Sequence, residues 1–364
     1  MATKLLPDDL LLEILVRLPV SSLLRFRCVL RSWCTFITGP TFISAHIHHN
    51  SIANRYRVLV RIFDPEADKK VQYKLCQDNE SMDEIMAIDS PCVSQLNDFF
   101  RMVGCVNGLV CLSDDIVEET DALILWNPII RRFLTLPQPN ADIVSADMGR
   151  YVYGFGFDSL VNDYKVIRIL YHGNQNSEAS ELEALTAIFR LSRGSWEINS
   201  STSLPLLDSR QAYVHGVIHW LAYKSFILGC DASSEKFKKI MLPTSLQNVN
   251  VRNLTIAPWC GLLSIFESGI WSGRLCLWTM KDYGMEESWV KQFVIEYPAI
   301  VRSLRRNGNV ILENIEGGLR SYNHKTNQIE DSKIPVEGSI RGFHMKSYLE
   351  SLVLLDRVDA QVLL

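Results

Sequence analysis

Signatures of catalysis that can be recognised in sequence are largely missing from this chain. It has no Cys-x-x-Cys pair, no Gly-x-Ser-x-Gly elbow and no Gly-Lys-Ser/Thr phosphate loop. These absences exclude a zinc ribbon of ordinary spacing, an α/β-hydrolase nucleophile and a P-loop. Gly154-x-Gly156 lacks the third glycine and the following helix of a dinucleotide loop. No apolar run approaches ~18 residues, so no membrane-spanning helix is expected. Met1-Ala2-Thr3-Lys4 leads directly into an acidic amphipathic stretch, so no secretory signal is expected. Basic charge is not in excess: 37 Lys and Arg stand against 41 Asp and Glu, with net charge −4 and a pI near 6.1. Nothing in that balance favours nucleic acid. The nine cysteines are odd in number and lie mostly in apolar runs. They are expected to be reduced, buried thiols of a cytoplasmic or nuclear protein.

What is present begins with Leu5-Leu6-Pro7-Asp8-Asp9-Leu10-Leu11-Leu12-Glu13-Ile14-Leu15-Val16-Arg17-Leu18-Pro19. Pro7 has helical φ and no amide hydrogen to leave unpaired, and Asp8 and Asp9 favour the positive end of a helix dipole. Leu10, Ile14 and Leu18 recur every four residues, Leu11 and Leu15 widen the stripe, and Pro19 stops it. A second helix is expected from Ser21-Ser22 through Leu23, Leu24 and Phe26. A third carries Val29, Trp33, Phe36 and Ile37 and is broken at Thr38-Gly39-Pro40. Three short helices make a unit too small for a comfortable core of its own, so part of its apolar surface should be covered by a partner.

The order Leu6-Pro7, Ile14-Leu15, Leu18-Pro19, Leu23, Arg27-Cys28-Val29, Ser32-Trp33, Phe42-Ile43 resembles the F-box, over roughly Leu5 to His48. Leu30 departs from the small or polar residue that plant relatives usually carry there. The resemblance implies docking onto the Skp-type adaptor of SCF ubiquitin ligases, and through it onto the cullin-RING core. The adaptor-binding residues it implies are Leu6, Pro7, Leu10, Ile14, Leu15, Leu18, Pro19, Leu23, Val29 and Trp33.

From Tyr56 the period changes to the alternation of a half-buried strand, Tyr56-Arg57-Val58-Leu59-Val60-Arg61-Ile62-Phe63, which places a boundary near Asn50. The stretch from Asp64 to Pro91 reads as mostly exposed loop with one strand at Val71 to Cys76. Gly108, Gly216, Gly261 and Gly308 each precede an alternating apolar run, and the last three are 45 and 47 residues apart (261 − 216 and 308 − 261). Leu136-Pro137, Leu204-Pro205, Leu242-Pro243 and Ile334-Pro335 close units, because proline cannot donate to a ladder. Periods in the forties built of short strands predict propeller blades, about six of them; a two-sheet sandwich is the competing architecture. The fold class expected is therefore mostly β with a small all-α module, residues 1–50 helical and residues 51–364 a β-propeller.

Trp126-Asn127-Pro128-Ile129-Ile130-Arg131-Arg132-Phe133, Gly154-Phe155-Gly156-Phe157-Asp158, Asn162-Asp163-Tyr164-Lys165-Val166-Ile167, His219-Trp220, Leu277-Trp278 through Tyr283-Gly284, Ser288-Trp289 and Tyr348-Leu349-Glu350-Ser351-Leu352 resemble the plant F-box-associated, kelch-like domain. Physically they read as scaffold: Trp126 fills a space between blades, Asn127-Pro128 turns the chain, Arg131 and Arg132 begin a strand, and Asn162-Asp163 makes a hairpin.

The candidate chemical groups read as structural. His215 and His219 lack the glutamate of a zinc protease and belong to a core or turn; His46, His48 and His49 have no nearby ligand partner and fit a solvated helix end. Asp114-Asp115 and Glu118-Glu119 fit a solvated turn. No catalytic residue, metal or cofactor is expected. Together the two resemblances imply a substrate-recognition subunit of an SCF-type ligase, holding a target protein on the propeller for ubiquitination and degradation. Plant relatives of this layout include pollen S-locus receptors that recognise secreted ribonucleases. The loops Asp64 to Pro91, Gln138 to Gly149 and His172 to Glu183 are the candidates for specificity. Two rivals are a propeller hydrolase with a helical cap and an F-box protein acting outside ubiquitination.

Overall fold

The computed structural model describes residues 7–63, 71–91, 100–114, 122–139, 150–171, 182–268, 273–332, 334 and 343–363. Helices α1 (Asp8–Leu15), α2 (Val20–Phe26), α3 (Arg31–Thr38) and α4 (Pro40–Ile52) come first. Pro7 opens α1 with φ −52° and ψ 144°, and Asp8 and Asp9 fill the first turn. α1 closes at Leu15 rather than Leu18, and Pro19, not Ser21 or Ser22, precedes α2.

The expected three helices are four. Pro40 does not end the helical run but restarts it, standing in the first turn where its missing amide hydrogen costs nothing. The inward face of α4 is Phe42, Ile43, His46 and Asn50. Two of those four are polar, so hydrophobic periodicity does not reveal the helix.

Six blades follow. Blade 1 contains Tyr56–Phe63, Val71–Gln77 and Glu84–Asp89 and takes its innermost strand, His344–Leu349, from the far end of the chain. Blade 2 is Arg101–Val106, Leu109–Ser113, Leu123–Asn127 and Arg132–Thr135, with Gln361–Val362 added outside. Blade 3 is Arg150–Asp158, Asp163–Tyr171, Leu182–Arg190 and Ser195–Leu204; blade 4 is Leu207–Val214, Val217–Ala222, Phe226–Asp231 and Phe237–Met241. Blade 5 is Leu254–Trp259, Leu262–Ser268, Leu275–Met280 and Trp289–Ile295; blade 6 is Ala299–Leu304, Val310–Asn314, Leu319–Asn323 and Gln328–Asp331. The ring closes where Tyr56 pairs with Leu349 and Arg61 with His344, antiparallel. Glu84–Asp89, read from sequence as loop, is the outer strand of blade 1.

The repeated glycines mark one structural position. Gly108, Gly216, Gly261 and Gly308 have φ of 78°, 78°, 81° and 90°, each in the hairpin between a blade's first two strands. Asn107, His215 and Cys260 before them are also left-handed, as a two-residue hairpin of the twist-matched type requires. Blade 3 uses Asn162 at φ 54° instead, which is why no glycine of this series falls between Gly108 and Gly216.

Tryptophans join the blades. Trp126 is fully buried and meets Tyr73 of blade 1 edge-on at 4.8 Å. Trp220 Nε1 donates to the Tyr153 carbonyl of blade 3 at 3.0 Å, Trp259 to Gly308 of blade 6 at 3.1 Å, and Trp289 to Met241 of blade 4 at 3.0 Å. These last three indoles thus supply apolar area and satisfy their one donor across a blade boundary, whereas Trp126 joins its neighbour by packing alone, its Nε1 buried without a hydrogen bond. Arg131 sits in the turn at φ 52°, and the strand begins at Arg132.

The two ends of the propeller differ. At one end strands are joined by short turns, such as 107–108, 159–162, 215–216 and 260–261; at the other the connections include 90–100, 114–122, 136–149, 172–181, 242–253 and 332–343. The helices sit at the short-turn end.

Candidate protein-binding site

The inward sides of α1 to α4 contribute Leu15, Val16, Val20, Leu23, Ile37, Phe42 and Ile43 to one continuous core. That core also holds Val103 and Leu109 of blade 2, Tyr153 and Phe155 of blade 3, and Leu352, Val353, Leu354 and Leu355 of the C-terminal tail. The tail, not foreseen as a structural element, is the wedge between helices and blades. The small size of the module, which from sequence pointed to a partner's cover, is met in part by its own protein: one side is sealed by the propeller.

The implied adaptor residues divide accordingly. Leu15 is 2% exposed and Leu23 fully buried, so these two hold the module together and present no surface. Leu18 and Trp33 are half-buried, and Trp33 packs on Phe26 at 5.6 Å between ring centres. Pro7 and Pro19 are exposed, Leu10 is 52% exposed, Ile14 50% and Val29 61%. Leu6 lies outside the described residues. Leu30, not singled out for docking, is 48% exposed beside Val29. An apolar patch thus remains on the side of the helices away from the shared core, where leucine, isoleucine and valine facing water are costly unless covered. Around it stand exposed Asp8, Asp9, Glu13, Arg17, Arg25 and Arg31; Arg17 and Glu13 pair at 3.2 Å, both largely solvated.

Polar bonds fix the seat of the module. His46 is buried, not solvated as expected. Its Nε2 lies 3.1 Å from the Leu18 carbonyl, which can only accept, so Nε2 carries the proton and Nδ1 is left to accept from the Asn50 amide at 3.4 Å. Burial lowers the His46 pKa, and the nearby His49 and Arg55 add to this against the pull of the Leu18 carbonyl. Asn50 also donates to the Glu350 carbonyl at 3.4 Å, Arg55 donates to the Arg17 carbonyl at 2.8 Å, and Ser44 Oγ donates to Asn162 Oδ1 at 3.2 Å. Beneath them Asn127 donates to the carbonyls of Ser351 and Val353 at 3.0 and 2.9 Å and accepts from Tyr348 at 3.0 Å. The side chain that turns the chain in blade 2 also clamps the tail.

The remaining candidates find structural roles. His219 is fully buried, with Nδ1 3.3 Å from the Ala212 carbonyl and Nε2 2.7 Å from the Tyr283 hydroxyl. His215 is in a hairpin, its ring edge-on to Tyr283 at 5.7 Å. Among the described residues no group of three or more His, Cys, Asp or Glu side chains is placed to hold a metal ion. Asp114 is buried rather than solvated, its amide bonded to the Ala122 carbonyl at 3.0 Å; Asp115, Glu118 and Glu119 lie outside the described residues. Of eight described cysteines, all free, Cys76, Cys111, Cys230 and Cys276 are buried, while Cys28 and Cys260 are exposed. No described helix is long and apolar enough to cross a membrane. Most of the candidate specificity loops, 64–70, 140–149 and 172–181, lie outside the described residues.

A small helical module that seats one apolar side on a six-bladed propeller and leaves apolar side chains on another exposed to water defines a two-part architecture. Two family models match the chain: the F-box domain over residues 4–44 and the F-box associated beta propeller domain over residues 44–317. The chain belongs to that F-box associated propeller family. It is 27% identical to an F-box/kelch-repeat protein of Arabidopsis thaliana, with 96% of this chain and 95% of the relative covered. A second Arabidopsis F-box protein is 26% identical, with 90% and 87% covered. The Arabidopsis F-box protein CPR1 is 25% identical, with 82% and 75% covered.

Proposed function

We propose that this chain is the substrate-recognition subunit of an SCF-type E3 ubiquitin ligase, working in the cytoplasm or nucleus. The F-box helices dock on a Skp-type adaptor, the adaptor links the chain to the cullin-RING core, and the propeller holds a target protein. The observation that carries this reading is the uncovered apolar patch of Pro7, Leu10, Ile14, Pro19 and Val29 on a module whose other side is anchored to the propeller. Each aliphatic side chain desolvated there contributes about 1.5–3 kcal/mol before ordering costs. The anchored seat gives the patch a defined geometry relative to the propeller. A target held on the blades then meets the conjugating enzyme at high effective concentration, and proximity, rather than chemistry by this chain, is the mechanism.

Co-purification with the adaptor tests it. Ile14→Asp places a charge in the middle of the exposed patch and should weaken adaptor retention by at least about tenfold, with thermal unfolding unchanged. Leu18→Asp should also lose the adaptor, but Leu18 is half-buried against the shared core, so its unfolding temperature must be read alongside. Equal retention by wild type and Ile14→Asp overturns the assigned interface.

A further inference from the structure

Two places among the described residues hold adjacent large apolar side chains that both face water. One is Val29 and Leu30, beside the patch on the helices. The other is Leu160 and Val161, 83% and 67% exposed, in the blade 3 hairpin at 159–162. Single exposed leucines are ordinary on a protein surface. An adjacent apolar pair in a tight turn is not, because solvated turns are built mainly from Gly, Pro, Asn, Asp and Ser. The corresponding hairpins obey that rule: blades 2, 4 and 5 turn through Asn107-Gly108, His215-Gly216 and Cys260-Gly261, and the turn of blade 6 at 305–309 holds no large apolar residue. Blade 3 departs from its neighbours in length and in chemistry at the same place.

The pair is held in one geometry from both sides. Before it, the buried Asp158 accepts from the Leu160 amide at 3.0 Å, and its carboxylate is fixed in turn by Ser233 at 2.7 Å and Lys165 at 2.9 Å. After it, Asn162 takes a left-handed φ of 54° and accepts from Ser44 Oγ of α4 at 3.2 Å. The hairpin therefore stands at the end of the propeller that carries the helices, in hydrogen-bond contact with one of them. Apolar side chains presented on a turn so constrained lose little conformational freedom when covered. A protein that covers the helices meets, on the propeller element bonded to α4, a second apolar contact already in place.

We propose that the blade 3 hairpin is the propeller's own part of the adaptor interface, with Leu160 and Val161 packing on an apolar surface of the Skp-type protein beside α4. The inference deepens the receptor reading and rests on it for the identity of the partner. Docking then has two parts, one on the helices and one on the propeller. The first supplies the hold, and the second fixes the angle at which the blades stand to the adaptor.

Biolayer interferometry of the full chain on immobilised adaptor tests the contact. Replacing both residues, Leu160→Ser with Val161→Ser, should weaken binding at least about tenfold with the unfolding temperature unchanged. Leu160→Gln alone, at the more exposed position, should weaken it by about threefold. Leu160→Met with Val161→Ile keeps the apolar surface and should keep the wild-type affinity. Ile315→Ser, an exposed apolar residue at the long-connection end, should leave binding unaltered. Equal affinity of the wild type and the double serine variant overturns the proposal, as does an equal loss in Ile315→Ser. Light scattering without adaptor adds a further check: a wild-type dimer that the double serine variant dissolves overturns it by assigning the hairpin to a second copy of the chain. Ile14→Asp separates the two readings. Loss of the adaptor in Ile14→Asp but not in the double serine variant overturns this inference and leaves the receptor reading standing, whereas a wild type that captures no adaptor overturns both.

Discussion

The two ends of the propeller are built from the same six-fold strand pattern and solve opposite problems. At the end that carries the helices, short turns such as 107–108 and 215–216 are tied down by buried polar side chains. Asn127 clamps the tail, Arg132 donates to the Arg357 carbonyl at 2.7 Å, and Asp163 caps the next turn through the Ser192 amide at 2.9 Å. At the other end the connections lengthen, as at 136–149 and 242–253. The difference teaches that one strand pattern can hold a domain in register at one end of a propeller while carrying long connections at the other. Substitutions at the packed positions of the first end should therefore cost the most stability.

The largest stability effect is expected at Lys165, which joins blades 3 and 4 at the helix-bearing end. Its ammonium donates to Asp158 Oδ2 at 2.9 Å, to the Ala232 carbonyl at 2.7 Å and to Glu235 Oε1 at 2.8 Å, with both Lys165 and Asp158 about 5% exposed or less. Burial alone would lower the Lys165 pKa, but the bonds to Glu235 and Asp158 outweigh it and hold it up. Burial likewise would raise Asp158, while the bonds from Lys165 and Ser233 hold it below its ordinary 3.8. Lys165→Met leaves Asp158 buried without its cation and deprives Glu235 of one, so urea unfolding should show a loss of about 3–5 kcal/mol. A loss under about 1 kcal/mol would mean the pair adds nothing to the stiffness of this end. Because the folded Asp158 pKa is depressed, its share of the stability is complete above about pH 4 and is lost as the pH falls through the folded value.

The next effect compares glycines of similar φ in different surroundings. Gly108, at φ 78°, would place an added Cβ against the Leu349 carbonyl oxygen and the Ser351 hydroxyl, where the tail leaves blade 1. Gly108→Ala should cost backbone strain of about 1–2 kcal/mol plus the clash, hence roughly 2–4 kcal/mol by denaturant unfolding. Gly216, also at φ 78°, has nothing within 4 Å, so Gly216→Ala should cost only the strain. Equal losses would remove the claim that the tail is pressed against the blade 2 hairpin.

Hairpin glycines, the change of hydrophobic period at Tyr56 and the closing prolines made most of the propeller legible, because each follows from local backbone rules. What stayed hidden was set by contacts distant in sequence. α4 was concealed because its inner face uses His46 and Asn50 to reach Leu18 and Glu350, and polar residues at helical spacing carry no hydrophobic signal. Leu15 and Leu23 share the periodicity of Leu10 and Ile14, and only the position of the propeller decides which of them are sealed. The outer strand Glu84–Asp89 has only Ile88 buried among its residues, so its alternation was too weak to read.

Acidity sharpens the comparison at the helix-bearing end. Burial, with a smaller contribution from His215, pushes the His219 pKa down from 6.5 to about 4 against the pull of the Ala212 carbonyl. The unfolded chain therefore takes up a proton first as the pH falls below 6.5, and stability declines from there until the folded ring titrates near 4. At pH 5 this one group should remove about 2 kcal/mol relative to pH 7. His219→Gln keeps a donor and an acceptor for Ala212 and Tyr283 but cannot titrate, so its loss between pH 7 and pH 5, read by urea unfolding at each pH, should be smaller than the wild-type loss by about that amount. Identical losses would place the acid sensitivity elsewhere.

The smallest effect belongs to the long-connection end, at Gly317 in the turn that follows the second strand of blade 6. Its φ is 83°, and an added Cβ meets nothing within 4 Å. Alanine there must adopt a left-handed backbone at about 1–2 kcal/mol, partly offset by the smaller entropy of the unfolded alanine chain, which returns about 0.4–1 kcal/mol. Gly317→Ala should therefore cost under about 1.5 kcal/mol by denaturant unfolding and leave adaptor capture at the wild-type value. Beside Gly108→Ala this isolates the cause of the larger loss: both glycines bend the chain the same way, but Gly108 is packed against the tail, while Gly317, like Gly216, meets nothing. If the two alanine variants lost the same stability, packing of the tail against Gly108 would add nothing, and backbone conformation alone would account for both.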